Sequence, residues 1–250
     1  MKILSGFVLL MIIASFDIQD DFLKDQKRYP RVRSAISEKQ TVIEQHLEKS
    51  GLTIDNYHVL MVAYKEEDEL VLYVKGIDED SYERISKFEI CSKSGSLGPK
   101  RRQGDHQVPE GFYHIDRFNP ASSFHLSVGL NYPNLADRRK STFDRMGGDI
   151  FIHGACVTIG CLPMTHDKIK EIYLYAIHAR NNGQLQIPVY VFPFRMTDVN
   201  MSSYAEKYKD NQDLLDFWTN LKVGHDQFHQ NKQEVSFSVT ANGDYQFETD

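Results

Sequence analysis

Residues 153–161 hold the side chains best suited to chemistry in this chain: His153 and Cys161, with Gly154, Cys156 and Gly160 between them. A thiol attacks a carbonyl only as thiolate, so a reactive cysteine needs a base or a positive field close by. One loop is short enough for His153 to serve Cys161 as that base. The apolar run Ile150-Phe151-Ile152 reads as a strand leading into His153, and Thr165 reads as the cap of a helix beyond Cys161. The positive end of that helix would favour the thiolate. Gly154 and Gly160 let the backbone turn tightly and come close to a substrate. The N–H groups of Gly160 and Cys161, with Leu162 as a third candidate, would then face a tetrahedral oxyanion. Each residue also has a plainer reading: a buried cysteine, a hydrogen-bonded structural histidine, an ordinary turn glycine.

The other cysteines leave alternatives open. Cys156 could pair with Cys161, stand near it as a second thiol, or simply be buried. A resting disulfide to Cys161 would block catalysis, which favours the last two. Cys91 lies in a predicted strand and reads as core. The pattern His153-x2-Cys156-x4-Cys161-x4-His166 also offers four potential zinc ligands. The strand before and the helix after suit a catalytic loop better, so no metal is assigned.

These residues need a scaffold, and hydrophobic periodicity outlines one. Residues 17–27 are polar and read as a linker. A helix is predicted over 30–49, stopped by Ser50-Gly51. Residues 57–64 and 69–75 alternate as strands, with Leu70, Leu72 and Val74 on one face and Val71 and Tyr73 on the other. Further strands are predicted over 87–92, 111–118 and 123–130, and a polar loop over 133–142. After Cys161, Ile169, Ile172, Tyr173, Ala176 and Ile177 form a helical stripe ended by Asn181-Asn182-Gly183. Residues 187–194 read as a strand that Pro188 and Pro193 push toward a sheet edge. A helix over 204–221, a strand over 234–239, and an Asn242-Gly243 turn before Tyr245-Gln246-Phe247 complete the pattern. Many strands, few helices and no βαβ alternation give a β-rich α+β domain.

The chain has 250 residues, 41% of them hydrophobic and 26% charged, which suits a folded globular body. A net charge of −6 argues against nucleic acid as a partner. Three cysteines are too few for a disulfide scaffold. Lys2 followed by the apolar residues 3–16 reads as an export signal, with small Ala14 and Ser15 near its end. The divisions expected are 1–18 for the signal, 19–55 for a linker and helix, 56–195 for the catalytic domain and 196–250 for a C-terminal helix and strand extension.

His153-Gly154 followed by Thr158-Ile159-Gly160-Cys161 resembles the L,D-transpeptidase catalytic domain of the YkuD type, and within it the YafK-like branch. Further pieces agree in order: Arg28-Tyr29-Pro30-Arg31-Val32-Arg33, Gly104-Asp105, Pro109-Glu110-Gly111-Phe112-Tyr113, Asn131-Tyr132-Pro133-Asn134, Val191-Phe192-Pro193-Phe194-Arg195-Met196-Thr197 and Phe217-Trp218. The resemblance implies a β-sandwich-like catalytic domain with peripheral helices. It implies Cys161 as nucleophile, His153 as base, and the Gly154 carbonyl as the group that orients the imidazole. It implies an exported enzyme of the periplasm or cell envelope, without a cofactor. The substrate would be peptidoglycan stem peptides containing diaminopimelate, or a lipoprotein linked to them. His125 and Tyr132 fall in segments that border the family's cleft, and Thr158 belongs to the motif. In the basic cluster Lys100-Arg101-Arg102, Arg101 would suit a stem carboxylate, although a solvated charge run explains such a cluster equally well.

Two departures from the commoner family pattern bear on the reaction. Ile159 stands where many members carry a second histidine, and the His-to-Cys interval is short. Both suit the YafK-like branch, in which some members hydrolyse a diaminopimelate–lipoprotein link instead of forming cross-links. The rival from another class is a wall-binding module without activity; a reactive thiol at Cys161 would discriminate against it.

Overall fold

The alternation of residues 58–75 decides the layering. In the computed structural model, which describes residues 17–248, β1 (His58–Tyr64) and β2 (Glu69–Lys75) pair antiparallel from His58↔Lys75 to Tyr64↔Glu69. Period-two geometry sends neighbouring side chains to opposite faces. Leu70, Leu72 and Val74 accordingly join one core, while Val71 and Tyr73 join the other. Both faces of the sheet are therefore buried, and helices cover each.

The remaining strands of the main sheet are β3 (Glu83–Glu89), β4 (Gly111–Asn119), β5 (Ser127–Leu130), β6 (Phe151–Gly154), β7 (Leu162–Met164) and β8 (Pro188–Phe192). Among the described residues they form an eight-stranded sheet in the order β3-β2-β1-β8-β4-β5-β6-β7. The fold is α+β, with a large mixed sheet and helices packed around it. The edge placement expected for β8 is wrong: it lies in the middle, parallel to β1 and antiparallel to β4. Pro188 opens the strand and Pro193 follows its end, so neither interrupts the interior ladder.

One face carries α4 (His166–Asn181), and α1 (Asp17–Gln26) and α2 (Pro30–Lys49) pack against it. The Thr165 side chain caps α4 by accepting from the Lys168 N–H. The expected apolar stripe is buried, but so are Leu174, Tyr175 and Ala179, because two helices sit against α4. Residues 17–27 are thus mostly helix rather than linker. Tyr173 donates to Gln26 Oε1 at 2.7 Å, and Phe22 meets Phe118 edge-on.

The other face carries α5 (Asp198–Lys207), α6 (Gln212–Asn231) and the hairpin β9 (Phe237–Val239)–β10 (Tyr245–Phe247). The single helix expected over 204–221 is two, because Asn211 breaks the run and caps α6 through Leu214 N–H. Residues 133–142 hold a short helix, α3 (Leu135–Lys140), nucleated by a reciprocal Asn134–Asp137 capping box. The strand expected over 123–130 begins only at Ser127, which leaves residues 120–126 as a loop.

Candidate active site

β6 and β7 run parallel, with Ile152↔Leu162, His153↔Pro163 and Gly154↔Met164 in register. Residues 155–161 connect them. Cys161 directly precedes β7, and its thiol lies within reach of the Phe151 N–H at the start of β6, two residues before His153. The loop is held in a demanding conformation. Ala155 has a φ of 69° and Gly160 of 134°. A Cβ on Gly160 would stand 3.0 Å from the Gln107 carbonyl oxygen, so the position needs glycine on both counts.

Thr158 organises the turn from within. Its Oγ1 accepts from the N–H of Cys161 at 2.8 Å and of Gly160 at 3.2 Å, and donates to the Cys161 carbonyl at 2.9 Å. The two N–H groups expected to face an oxyanion are therefore turned to this hydroxyl. An oxyanion can use them only by displacing it. Through these bonds Thr158 holds the loop's shape.

The loop is also anchored covalently. Cys156 is bonded to Cys91, 65 residues away, and Cys161 is the free thiol. This overturns the reading of Cys91 as plain core and of Cys156 as an unpaired thiol. It also removes a ligand from the zinc pattern. The Cys91 N–H donates to Pro163 O at 3.0 Å, so the same residue ties β7 to the end of β3.

His153 is 2% exposed. Its Nδ1 lies 2.5 Å from Gly154 O, the contact implied by the family resemblance. A carbonyl only accepts, so Nδ1 carries the proton and the neutral ring presents the Nε2 lone pair. Gly154 fits because a Cβ there would meet Phe124 O at 2.7 Å. The Phe124 ring lies 4.7 Å from the imidazole. Burial pushes the imidazole pKa below its ordinary value, against the smaller upward pull of the Gly154 carbonyl.

The thiol is shifted the other way. Burial raises the Cys161 pKa; the Phe151 N–H and the Lys100 ammonium pull it down, and the Asp149 carboxylate pushes it up. The Sγ–H points toward Asp149 O at 3.6 Å. The helix expected directly behind Cys161 does not stand there, because β7 intervenes before α4 begins at His166. Burial thus opposes the charged form of both groups, raising the thiol pKa and lowering that of the imidazole.

A cavity of about 80 Å³ opens beside Cys161, lined by Lys65, Ile90, Ser94, Leu97, Val108 and Leu162 among others. A buried ion pair braces its wall. Lys65 Nζ donates to Glu110 Oε1 at 2.7 Å and to the Gly98 and Val108 carbonyls. Glu110, 0% exposed, also accepts from the Gly98 N–H and from Trp218 Nε1 at 2.9 Å. The Glu110 and Trp218 segments were noticed in the sequence only as family-like pieces; Lys65 carried no signal.

The expected substrate contacts fare unevenly. Arg101 is committed to Asp137 Oδ1 at 3.0 Å and stacks over Phe217. Its neighbour Lys100, paired with Asp105 at 2.6 Å, is the cation within electrostatic reach of the sulfur. Tyr132 is buried and donates to Lys100 O at 3.2 Å, so it supports that loop from below. His125 stacks on His166 at 4.7 Å, and its backbone takes a positive φ of 75° next to Phe124. Phe124, within the strand expected over 123–130, carries no signal in the sequence for its place against His153.

The chain carries a free thiol at Cys161, just before β7, and an oriented imidazole on β6, and residues 59–191 match the L,D-transpeptidase catalytic domain, YkuD. The chain belongs to that family. YafK of Escherichia coli strain K12, provisionally named an L,D-transpeptidase, is 40% identical over 189 residues, covering 75% of this chain and 72% of that protein. The same figures hold for YafK of strain O157:H7. Among solved structures, the helical cell shape determining protein Pgp2 from Campylobacter jejuni is 17% identical with a TM-score of 0.44, covering 74% of each chain. Bd1075 of Bdellovibrio bacteriovorus is 20% identical with a TM-score of 0.40, covering 66% of this chain and 58% of that one. Likenesses that slight add nothing to the assignment.

Proposed function

We propose that this chain is an exported cysteine enzyme that acts on diaminopimelate-containing stem peptides of peptidoglycan. Cys161 Sγ attacks the carbonyl carbon of the donor amide while His153 Nε2 takes the thiol proton. The C–N bond then breaks, His153 protonates the leaving amine, and a thioester remains on Cys161. An amine acceptor would convert the thioester to a new amide; water would release an acid. The observation that carries the reading is the Nδ1 contact to Gly154 O, which leaves Nε2 to handle protons, with the Cys161 thiol near Phe151, two residues before His153 on β6.

Hydrolysis is proposed to be at least as fast as cross-linking, including release of a lipoprotein joined to diaminopimelate through a lysine. Ile159, 75% exposed, replaces the second histidine found in many family members, and the His-to-Cys loop is short. Export draws support from the Cys91–Cys156 disulfide, since such bonds persist in oxidising compartments. The signal reading itself covers residues 1–18, of which 1–16 lie outside the described residues.

The test is mass spectrometry of products from a labelled tetrapeptide muropeptide and from a muropeptide bearing a lipoprotein C-terminal lysine. Loss of the lysine remnant, abolished by Cys161→Ala, is expected. Direct diaminopimelate cross-links from the first substrate with the second untouched would overturn the hydrolytic reading. No conversion of either would overturn the substrate class.

A further inference from the structure

The stretch Arg28-Tyr29-Pro30-Arg31-Val32-Arg33 has so far been given no part in the chemistry. Much of it builds a corner: Pro30 opens α2, and Arg33 Nη1 donates to the Lys27 and Arg28 carbonyls at the end of α1. Arg31 does something else. Its Nη1 reaches the loop between β4 and β5, donating to Ser122 O and to His125 O at 2.7 Å.

Those carbonyls bracket Phe124, whose ring lies against His153 at 4.7 Å with planes tilted by 31°. Beyond His125 the chain is held again, because Leu126 O accepts from the Gly154 N–H at 3.1 Å. The loop is thus a strap with one end on Arg31 and the other on the strand that carries the imidazole. The strap is strained, since His125 occupies the left-handed region. Phe124 remains 44% exposed, so packing alone fixes it weakly. Two converging carbonyl oxygens are well matched to a guanidinium, which donates without ever losing its charge.

We propose that Arg31 is a positioning residue for the reaction: by pinning the Ser122 and His125 carbonyls it holds Phe124 over His153, which keeps that face of the imidazole dry and its Nδ1 on Gly154 O. The inference rests on the reading of His153 as proton carrier. The charged and titratable groups that act on His125 of the strap are His166 and Lys170 of α4 with Arg31 and Glu38 of α2, and those that act on the Cys161 thiol are Asp149 and Lys100. Glu38 and Lys170 pair with one another, and His125 and His166 stack. Burial is the main cause of the lowered His153 pKa, and the ring of Phe124 contributes to that burial.

Arg31 is exposed, so its removal spares the core. In histidine-labelled protein, nuclear magnetic resonance titration reads the His153 pKa without any substrate. Arg31→Ala should raise that pKa toward the ordinary ~6.5 of a hydrated imidazole, with little change in Tm. With a muropeptide substrate, kcat should fall by about tenfold, a fraction of the roughly 10²–10⁴-fold that a general base contributes, while KM stays within about twofold. Arg31→Lys should recover most of the loss. Phe124→Ala should raise the His153 pKa similarly, and adding Arg31→Ala to it should change nothing further. An unchanged His153 pKa in folded Arg31→Ala, or additive effects in the double variant, would overturn the proposal. A shifted pKa in a protein that turns over no muropeptide would sink the substrate reading and leave the positioning role standing.

Discussion

The two side chains proposed to react, Cys161 and His153, are held by different physics. Cys161 sits among constraints that solvent does not loosen: the Cys91–Cys156 bond within its loop, and beside its cleft a carboxylate, Glu110, that is fully buried against Lys65, Gly98 and Trp218. His153 is positioned by short-range and partly exposed contacts, its own neighbour's carbonyl and the ring of Phe124. The thiol side therefore reaches deep into the fold, through Trp218 to the helix α6 on the far face. The imidazole side ends at the surface, on Arg31. Damage to the first should cost stability, whereas damage to the second should retune the reaction and leave the fold intact.

The sharpest control removes the nucleophile without touching either set of constraints. Cys161→Ala should lower turnover on the order of 10⁴-fold or more, as loss of a covalent nucleophile does, with Tm nearly unchanged in a thermal melt. Measurable turnover by that variant would end the thiol mechanism.

The contrast itself is tested next. Glu110→Ala strands the Lys65 ammonium in the interior, and breaking a buried pair costs about 3–5 kcal/mol. Urea unfolding should show that loss, against well under about 1 kcal/mol for the exposed Arg31→Ala. Equal and small effects for the two would erase the distinction drawn between the sides.

A smaller effect is expected from the disulfide. The pair Cys91→Ser with Cys156→Ser should lower stability by about 2–4 kcal/mol, as for closure of a long loop. Its basis is checked directly by alkylation: unfolded but unreduced protein should modify at Cys161 alone, and reduced protein at Cys91 and Cys156 as well. Alkylation at all three before reduction would remove the covalent half of the comparison.

The smallest change concerns the turn. Thr158→Val keeps the shape and deletes the hydroxyl that accepts from Gly160 and Cys161. A cost of about 1 kcal/mol in stability and a fall of about fivefold in kcat, of similar energetic size, are expected. A faster enzyme would show instead that the hydroxyl competes with the oxyanion for those N–H groups.

What was legible in the sequence is local. Pro30 and Ser50-Gly51 bound α2, Thr165 caps α4, and the alternation of residues 69–75 divides cleanly between two cores. Helix caps and strand periods are written in neighbouring residues, so neighbouring residues reveal them. The nearness of His153 and Cys161 in the chain was legible for the same reason, since one loop joins the strand of the first to the second. The remainder depends on which distant surfaces meet. Nothing near Cys91 marks Cys156 as its partner, and only packing brings Phe124 to His153. Lys100 and Arg101 are adjacent and alike in charge, yet the first pairs with Asp105 within electrostatic reach of the sulfur and the second pairs with Asp137. Prolines at both ends suggested an edge for β8, but its place between β1 and β4 follows from long-range pairing. The thiol's resting state was decided in the same way. A helix start downstream pointed to a lowered pKa, and burial, a property of the assembled fold and not of any segment, raised it instead.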